Sequence, residues 1–296
     1  MKTSHRQQLA FFDFPVQQQV VNVASVPQRS PFRYPGGKTW FVPTLRQWLG
    51  SFARKPREFV EPFVGGGIIS LTVAFENLAH KVLMAELDDE IAAVWTTILT
   101  GGAKNLAQRI VGFELSCESV KAELAVSPRS AGRKAFQTIL KNRTYHGGIL
   151  APGSGLLKNG ENGKGIHSRW YPQTLYRRIL AIEGVRDRIQ FIEGDGLKVL
   201  GEYKNRSSAV FFIDPPYTVA GKRAGNRLYK CFELDHELLF SICESLKGDF
   251  LMTYDNEAQV RKLANKHGFD IREIPMKNTH HATMRELVIG KDLSWL

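Results

Sequence analysis

Apolar residues in this 296-residue chain fall into short dense runs separated by longer amphipathic stretches. Phe59-Val60-Glu61-Pro62-Phe63 reads as a short buried strand running into Gly65-Gly66-Gly67, and the spacing of Ile68 to Leu78 predicts a helix behind it. Lys81 to Glu86 predicts a second strand, and Asp88 to Leu99 a second helix. Strand, glycine turn, helix and strand form a βαβ unit, which implies a parallel sheet. Sheet character returns at Ile189 to Ile192, most strongly at Ala209 to Ile213, and again at Phe250 to Thr253 and Glu286 to Ile289. Helical spacing at Asp235 to Leu246 and Glu257 to His267 alternates with these runs. The middle of the chain reads as mostly helical, with Arg133 to Lys141 and Thr174 to Gly184 as its clearest helices. The expected organisation is a polar, Gln-rich leader (1–30), an α/β core (31–100 and 186–296) and a helical insert (101–185). There is no internal repeat.

Composition narrows the classes. The 43% hydrophobic and 23% charged content is that of a globular chain and excludes a mainly disordered or fibrous one. No apolar run approaches the ~18 residues of a membrane span, and the first residues lack a signal-peptide pattern. Cys117, Cys231 and Cys243 have no metal-type spacing and fit buried thiols in a reducing, cytoplasmic setting. The net charge is +11, and residues 101–190 hold 15 Lys/Arg against 6 Asp/Glu. The surplus therefore belongs to the middle segment. Tyr145, Trp170, Tyr171 and Tyr176 interleave with these charges, beside a glycine-rich loop from Gly147 to Gly165. Basic groups neutralise phosphates and aromatic faces stack on bases; the bland alternative is a solvated helical surface.

Two turns carry chemistry. Gly65 to Gly67 lets backbone approach a ligand at a strand's carboxyl end. Glu61 closes the strand before it and Glu86 the strand after it, where an acid can accept hydrogen bonds from ribose hydroxyls. This unit implies nucleoside binding without separating a nicotinamide cofactor from S-adenosylmethionine. The second turn, Asp214-Pro215-Pro216-Tyr217, follows the most hydrophobic strand. Its prolines stiffen the turn and fix the Asp214 carboxylate and the Pro215 carbonyl. These two acceptors suit the two hydrogens of an exocyclic amine, whose lone pair must rotate out of conjugation before it can attack an electrophile. Asp214 offers negative charge where positive charge develops, and Tyr217 a face for a flipped base. Other chemistries fit poorly. His280-His281 lacks further ligands at metal spacing, Ser168 and Ser207-Ser208 lack a nucleophile elbow, and Lys38 in GGKT lacks the first P-loop glycine.

Phe32-Arg33-Tyr34-Pro35-Gly36-Gly37-Lys38, Glu61-Pro62-Phe63-Val64-Gly65-Gly66-Gly67 and Asp214-Pro215-Pro216-Tyr217, in that order, resemble the Dam-type DNA adenine-N6 methyltransferase family. Asn142-Arg143, Phe232 with Asp235-His236, and Met284-Arg285-Glu286-Leu287 are also similar to family stretches, so the likeness spans 32–289. It implies a Rossmann-like S-adenosylmethionine-dependent methyltransferase core with a mostly helical target-recognition insert. It implies cofactor contacts from Tyr34, Lys38 (near the carboxylate), Glu61, Gly65, Gly66, Gly67, Glu86 (ribose), Asp195 (adenine) and Asp214. Catalytic roles fall to Asp214, Pro215 and Tyr217, with no metal. Double-stranded DNA is the implied partner, and a restriction endonuclease is a partner in function; Asn142, Arg143 and Arg169, in the basic segment, are the candidate DNA contacts. The chain departs from the family pattern at Glu86, where Asp is commoner, at Pro35, where a small residue is usual, and in the loop 147–165. Methylation of cytosine N4 or RNA, and a catalytically inactive DNA-binding relative, are the alternative readings.

Overall fold

The computed structural model describes residues 25–33, 36–151, 153–216, 234–277 and 283–296. Seven strands build one mixed sheet: β1 (Glu58–Glu61), β2 (Lys81–Glu86), β3 (Ile189–Glu193), β4 (Ala209–Ile213), β5 (Asp249–Asp255), β6 (Asp270–Lys277) and β7 (Thr283–Gly290). Their spatial order is β3-β2-β1-β4-β5-β7-β6. The first five strands are parallel, and β7 runs antiparallel between β5 and β6. β1 ends at Glu61 because Pro62 has no N–H to extend a ladder.

Alternation along the strands sends side chains into two apolar layers. Phe59, Val82, Met84, Val210, Phe212, Leu251 and Val288 face one. Val60, Leu83, Ala85, Phe211, Ile213, Met252 and Leu287 face the other. The second layer is closed by α8 (Gly196–Tyr203), α9 (His236–Ser245) and α10 (Ala258–Lys266). The first is closed by α1 (Val42–Ser51), α2 (Ile68–Glu76) and α3 (Asp89–Thr97), and continues into the expected insert: α4 (Ala103–Val111), α5 (Cys117–Ala125), α6 (Ala131–Thr144) and α7 (Pro172–Glu183). This is the Rossmann-like α/β architecture anticipated, with both sheet faces covered.

The insert has no core of its own. After α3 the backbone makes a wide turn at Ile98–Gly102, with Gly101 at φ +95. Beyond it α6 packs on α3 and α4 on α7, and all four helices contribute to the apolar layer that coats the sheet. Many of the basic residues are spent internally. Lys134 pairs with Asp89 and Lys141 with Glu90, joining α6 to α3. Arg109 and Arg133 share Glu123, and Arg186 lies 3.7 Å from Glu183. Arg143, Arg178 and Arg188 donate to the carbonyls of Pro31, Ser30 and Ala74. Eight of the segment's 15 basic side chains thus hold the fold, which corrects the expectation that its charge is chiefly a free surface.

The leader reading also overran. Val26, Ser30 and Phe32 are buried, Arg29 pairs with Glu76 at 3.3 Å, and the Ser30 hydroxyl donates to the Gly66 carbonyl. Residues 25–33 therefore belong to the core. Among the described residues, no helix is long and apolar enough to cross a membrane.

Candidate active site

Strand order reverses between β1 and β4, which lie side by side in parallel. Such a switch point opens a crevice at the carboxyl ends of the strands. Glu61 ends β1 and Asp214 follows β4, so the two motifs read from sequence meet there. One pocket is lined by Gly36, Gly37 and Lys38, by Glu61 to Ile69, by Glu86 to Asp88, by Asp195 to Leu197 and by Asp214 to Pro216. Leu234 and Asp235 close it from the α9 side, and Gly148 and Leu150 from the glycine-rich loop.

The glycine turn is built for close approach. Gly65 and Gly67 have φ of +46 and +67, the left-handed region that favours glycine. A Cβ on Gly67 would lie 2.7 Å from Cζ2 of Trp95. Trp95, on α3, is fully buried and donates from Nε1 to the Gly65 carbonyl at 3.0 Å. It braces the turn from below, a role that an apolar helix position did not disclose. Gly196 has a similar constraint, since its Cβ would lie 2.5 Å from the Pro62 carbonyl.

Acids surround this turn. The Glu61 side chain is 3% exposed, and its Oε2 accepts from the Ser70 N–H in the first turns of α2 at 2.9 Å. Burial, with Asp214 and Glu86 nearby, raises its carboxyl to about 8. Glu86 accepts from the N–H groups of Gly65 at 2.8 Å and Asp88 at 2.9 Å, and burial raises it to about 7. Asp88, Asp195 and Asp235 cap the N-termini of α3, α8 and α9. Six carboxylates thus line the pocket (Glu61, Glu86, Asp88, Asp195, Asp214 and Asp235) against the ammonium of Lys38.

That charge separates the two cofactor classes that the sequence left together. A dinucleotide presents its pyrophosphate to amides at a glycine turn and helix N-terminus. Here Glu61 already occupies Ser70 N–H and Glu86 occupies Gly65 N–H. A second anion would find these amides taken and acids around it; a cation would be attracted, most strongly once Glu61 and Glu86 have lost their protons.

Asp214 is held in place by its neighbours. Its Oδ1 accepts from the Thr253 hydroxyl on β5 at 2.8 Å and lies 3.0 Å from Lys38 Nζ. Lys38 is 4% exposed and also approaches the Gly36 carbonyl at 3.2 Å and Glu286 Oε2 on β7 at 3.6 Å. Asp214 and the Gly36 carbonyl lie within hydrogen-bond distance of the ammonium, and Glu286 adds attraction at longer range. Lys38 thus lies against Asp214 while also lining the pocket where the sequence reading placed a cofactor contact. Thr253 and Glu286 were not read as site residues; the signal was a polar side chain inside each of two apolar strands, and Glu286 belongs to the Met284-Arg285-Glu286-Leu287 stretch.

The remaining site residues divide. Tyr34 and Tyr217 lie outside the described residues, as do Phe232 and His280-His281. Gly66 and Pro215 line the pocket as expected. Asn142 does not face a nucleic acid: it is fully buried, accepting from Arg33 N–H at 2.8 Å and donating to the Arg33 and Gly148 carbonyls at 2.8 Å each. Its amide latches the glycine-rich loop to the segment before Lys38. Arg143 is 7% exposed and bonded to Pro31, so it too points inward; burial, with Arg178 and Arg33 nearby, lowers it to about 10. Arg169 is half-buried. Tyr171, at 55% exposure, is the most exposed large apolar side chain of the described residues.

Residues 34–111 match the model of the D12 class N6 adenine-specific DNA methyltransferases. Solved structures that are similar include a candidate RNA methyltransferase from Pyrococcus horikoshii, at 12% identity over 88% of this chain and 84% of that one, with a TM-score of 0.39. Others are an rRNA methyltransferase from Streptomyces viridochromogenes (15%, 86% and 85%, TM-score 0.36) and a precorrin 8W decarboxylase from Methanobacterium thermoautotrophicum (11%, 88% and 94%, TM-score 0.36). The curated proteins contain no match.

Proposed function

We propose that this chain is an S-adenosylmethionine-dependent DNA methyltransferase acting on the exocyclic amine of adenine. The observation that carries the reading is Asp214 at the switch point of the sheet, fixed by Lys38 and Thr253 at the floor of a pocket lined by acids. The match of residues 34–111 to the D12 class supports the substrate assignment.

The residues lining the pocket suit this cofactor. S-adenosylmethionine, when bound, supplies an electrophilic methyl on a positively charged sulfur. Gly65 to Gly67 offer backbone without side chains, Glu86 sits at the end of β2 where ribose hydroxyls are accepted, and Glu61 is a buried acid beside Asp214 that gains negative charge when it releases its proton. Asp195 stands on the same wall.

The chain's own chemistry is positioning and electrostatics. Asp214 and the Pro215 carbonyl accept the hydrogens of the target amine, turning its lone pair out of conjugation. Asp214 then offsets the positive charge that grows on nitrogen. The adenine must leave the duplex to reach this floor, with Tyr217 as its stacking surface. The exposed basic residues outside the internal ion pairs, among them Lys104, Lys121 and Arg177, would meet DNA phosphates, and Tyr171 offers a stacking face beside them.

The test is transfer of a radiolabelled methyl to unmethylated duplex DNA and to RNA, followed by nucleoside analysis. N6-methyladenine from DNA is the expected product. N4-methylcytosine, or label in RNA alone, overturns the substrate assignment. No label, with DNA binding retained, overturns the enzyme reading.

A further inference from the structure

We propose that Glu286 is a positioning residue of the transfer site, holding the Lys38 ammonium between two carboxylates so that Asp214 is oriented by it without being neutralised. This rests on the methyltransferase reading and goes beyond it.

β7 is an apolar strand in which Leu287, Val288 and Ile289 are fully buried. Glu286 begins that run at 7% exposure, opposite Asp255 of β5 in the antiparallel register. A carboxylate in such a place is costly unless it is paired. The cation beside it is Lys38, at 3.6 Å, and the same ammonium lies 3.0 Å from Asp214. At equal dielectric, the attraction energy of ionised Glu286 for Lys38 is about 0.8 of that of Asp214, since Coulomb energy falls as the inverse of distance. The ammonium is shared, not owned. Among the described residues, the other titratable groups acting at this centre are acids: Asp255 acts on Glu286 from β5, and Glu61 and Asp214 act on each other across β1 and β4.

Sharing has a catalytic consequence. A lysine paired with Asp214 alone cancels the negative charge on which the developing cationic amine depends. Burial raises the Glu286 carboxyl to about 7; above that pH, with Glu286 ionised and drawing on the same ammonium, the trio of Lys38, Asp214 and Glu286 carries a net negative charge. Lys38 still fixes the direction of Asp214. The antiparallel β6–β7 hairpin thereby gains a role, since it carries an acid under the end of β4.

Three variants test the assignment in single-turnover methyl transfer to DNA. Glu286→Gln keeps the shape of the side chain and removes its charge. Its transfer rate is expected to fall at least about tenfold, with cofactor KM and DNA Kd within about threefold of wild type, the pattern of a lost transition-state interaction. If Glu286 acts through Lys38, Lys38→Met combined with Glu286→Gln is no slower than Lys38→Met alone. Glu286→Asp keeps the charge, withdraws it by one methylene and is the variant to use if Gln impairs folding; a reduced rate is expected there too. Additive losses in the double variant, or a wild-type rate in a folded Glu286 variant, overturn the proposal while leaving the methyltransferase reading intact. A wild-type protein that methylates no DNA overturns both.

Discussion

Cofactor affinity should depend steeply on pH, and the direction distinguishes a cationic ligand from an anionic one. Glu61 and Glu86 carry carboxyls raised to about 8 and about 7. Below those values each is neutral, and above them each is charged. A ligand bearing a sulfonium and an ammonium favours the charged forms, so its binding must displace whatever protons are present. From about pH 9 down to about pH 6, protonation would weaken binding by at most ~100-fold through Glu61 and ~10-fold through Glu86, or ~1,000-fold together. Affinity therefore rises with pH and levels off above about 8. Titration calorimetry in buffers of different ionisation enthalpy, repeated across this range, reads both the affinity and the protons released. Glu61→Gln should flatten the steeper part, leaving about a tenfold dependence. The same variant should be more stable than wild type at alkaline pH, because a carboxyl raised on folding contributes stability at low pH that is lost as pH rises through its folded value. Equal affinity at both ends would falsify the proposed contact between these acids and the ligand's positive charge. Affinity falling with rising pH would point instead to an anionic ligand.

Other outcomes follow from single contacts. Gly67→Ala places a methyl 2.7 Å from Trp95 at φ +67; strain and overpacking together should cost about 2–4 kcal/mol in a denaturant melt and abolish cofactor binding. Asp214→Ala should keep DNA binding and lose at least ~1,000-fold in transfer, and wild-type turnover would refute its role. Thr253→Val removes one bond to Asp214 and should lower transfer about tenfold in a folded protein. Asn142→Ala strips three buried hydrogen bonds and should lower stability by about 2–4 kcal/mol. Unchanged stability with weakened DNA binding would restore Asn142 to the DNA surface.

The sheet was legible because its signal is local. A run such as Ala209 to Ile213 is apolar at every position, which only a strand covered on both faces requires. The two turns that line the pocket were legible because they stand directly after such runs. Elements with weaker periodicity were missed: β6 carries Pro275 and four charges in eight residues, and α8 is short and interrupted by Gly201. The contents of the site were only partly readable, for a different reason. Lys38, Thr253, Asp214 and Glu286 lie on four separate elements, and no spacing along a chain reports that an ammonium sits 3.0 Å from one carboxylate and 3.6 Å from another. The basic segment misled in the same way. Composition counts charges, but Lys134 and Lys141 are matched by Asp89 and Glu90 on a helix assigned to the other domain.

Those ion pairs, with the Asn142 latch, bear on how this protein could be re-engineered. Sequence boundaries near 101 and 185 invite exchange of the intervening residues for those of a relative. The graft would cut through one continuous apolar layer, strand Asp89 and Glu90 without their lysines, and leave Arg33 without the amide that ties it to Gly148. The transplantable unit is larger than the insert. It takes in residues 25–33, α3 and the 101–185 segment together, so this part of the molecule is better altered by substitutions on its exposed face than by swapping the whole block.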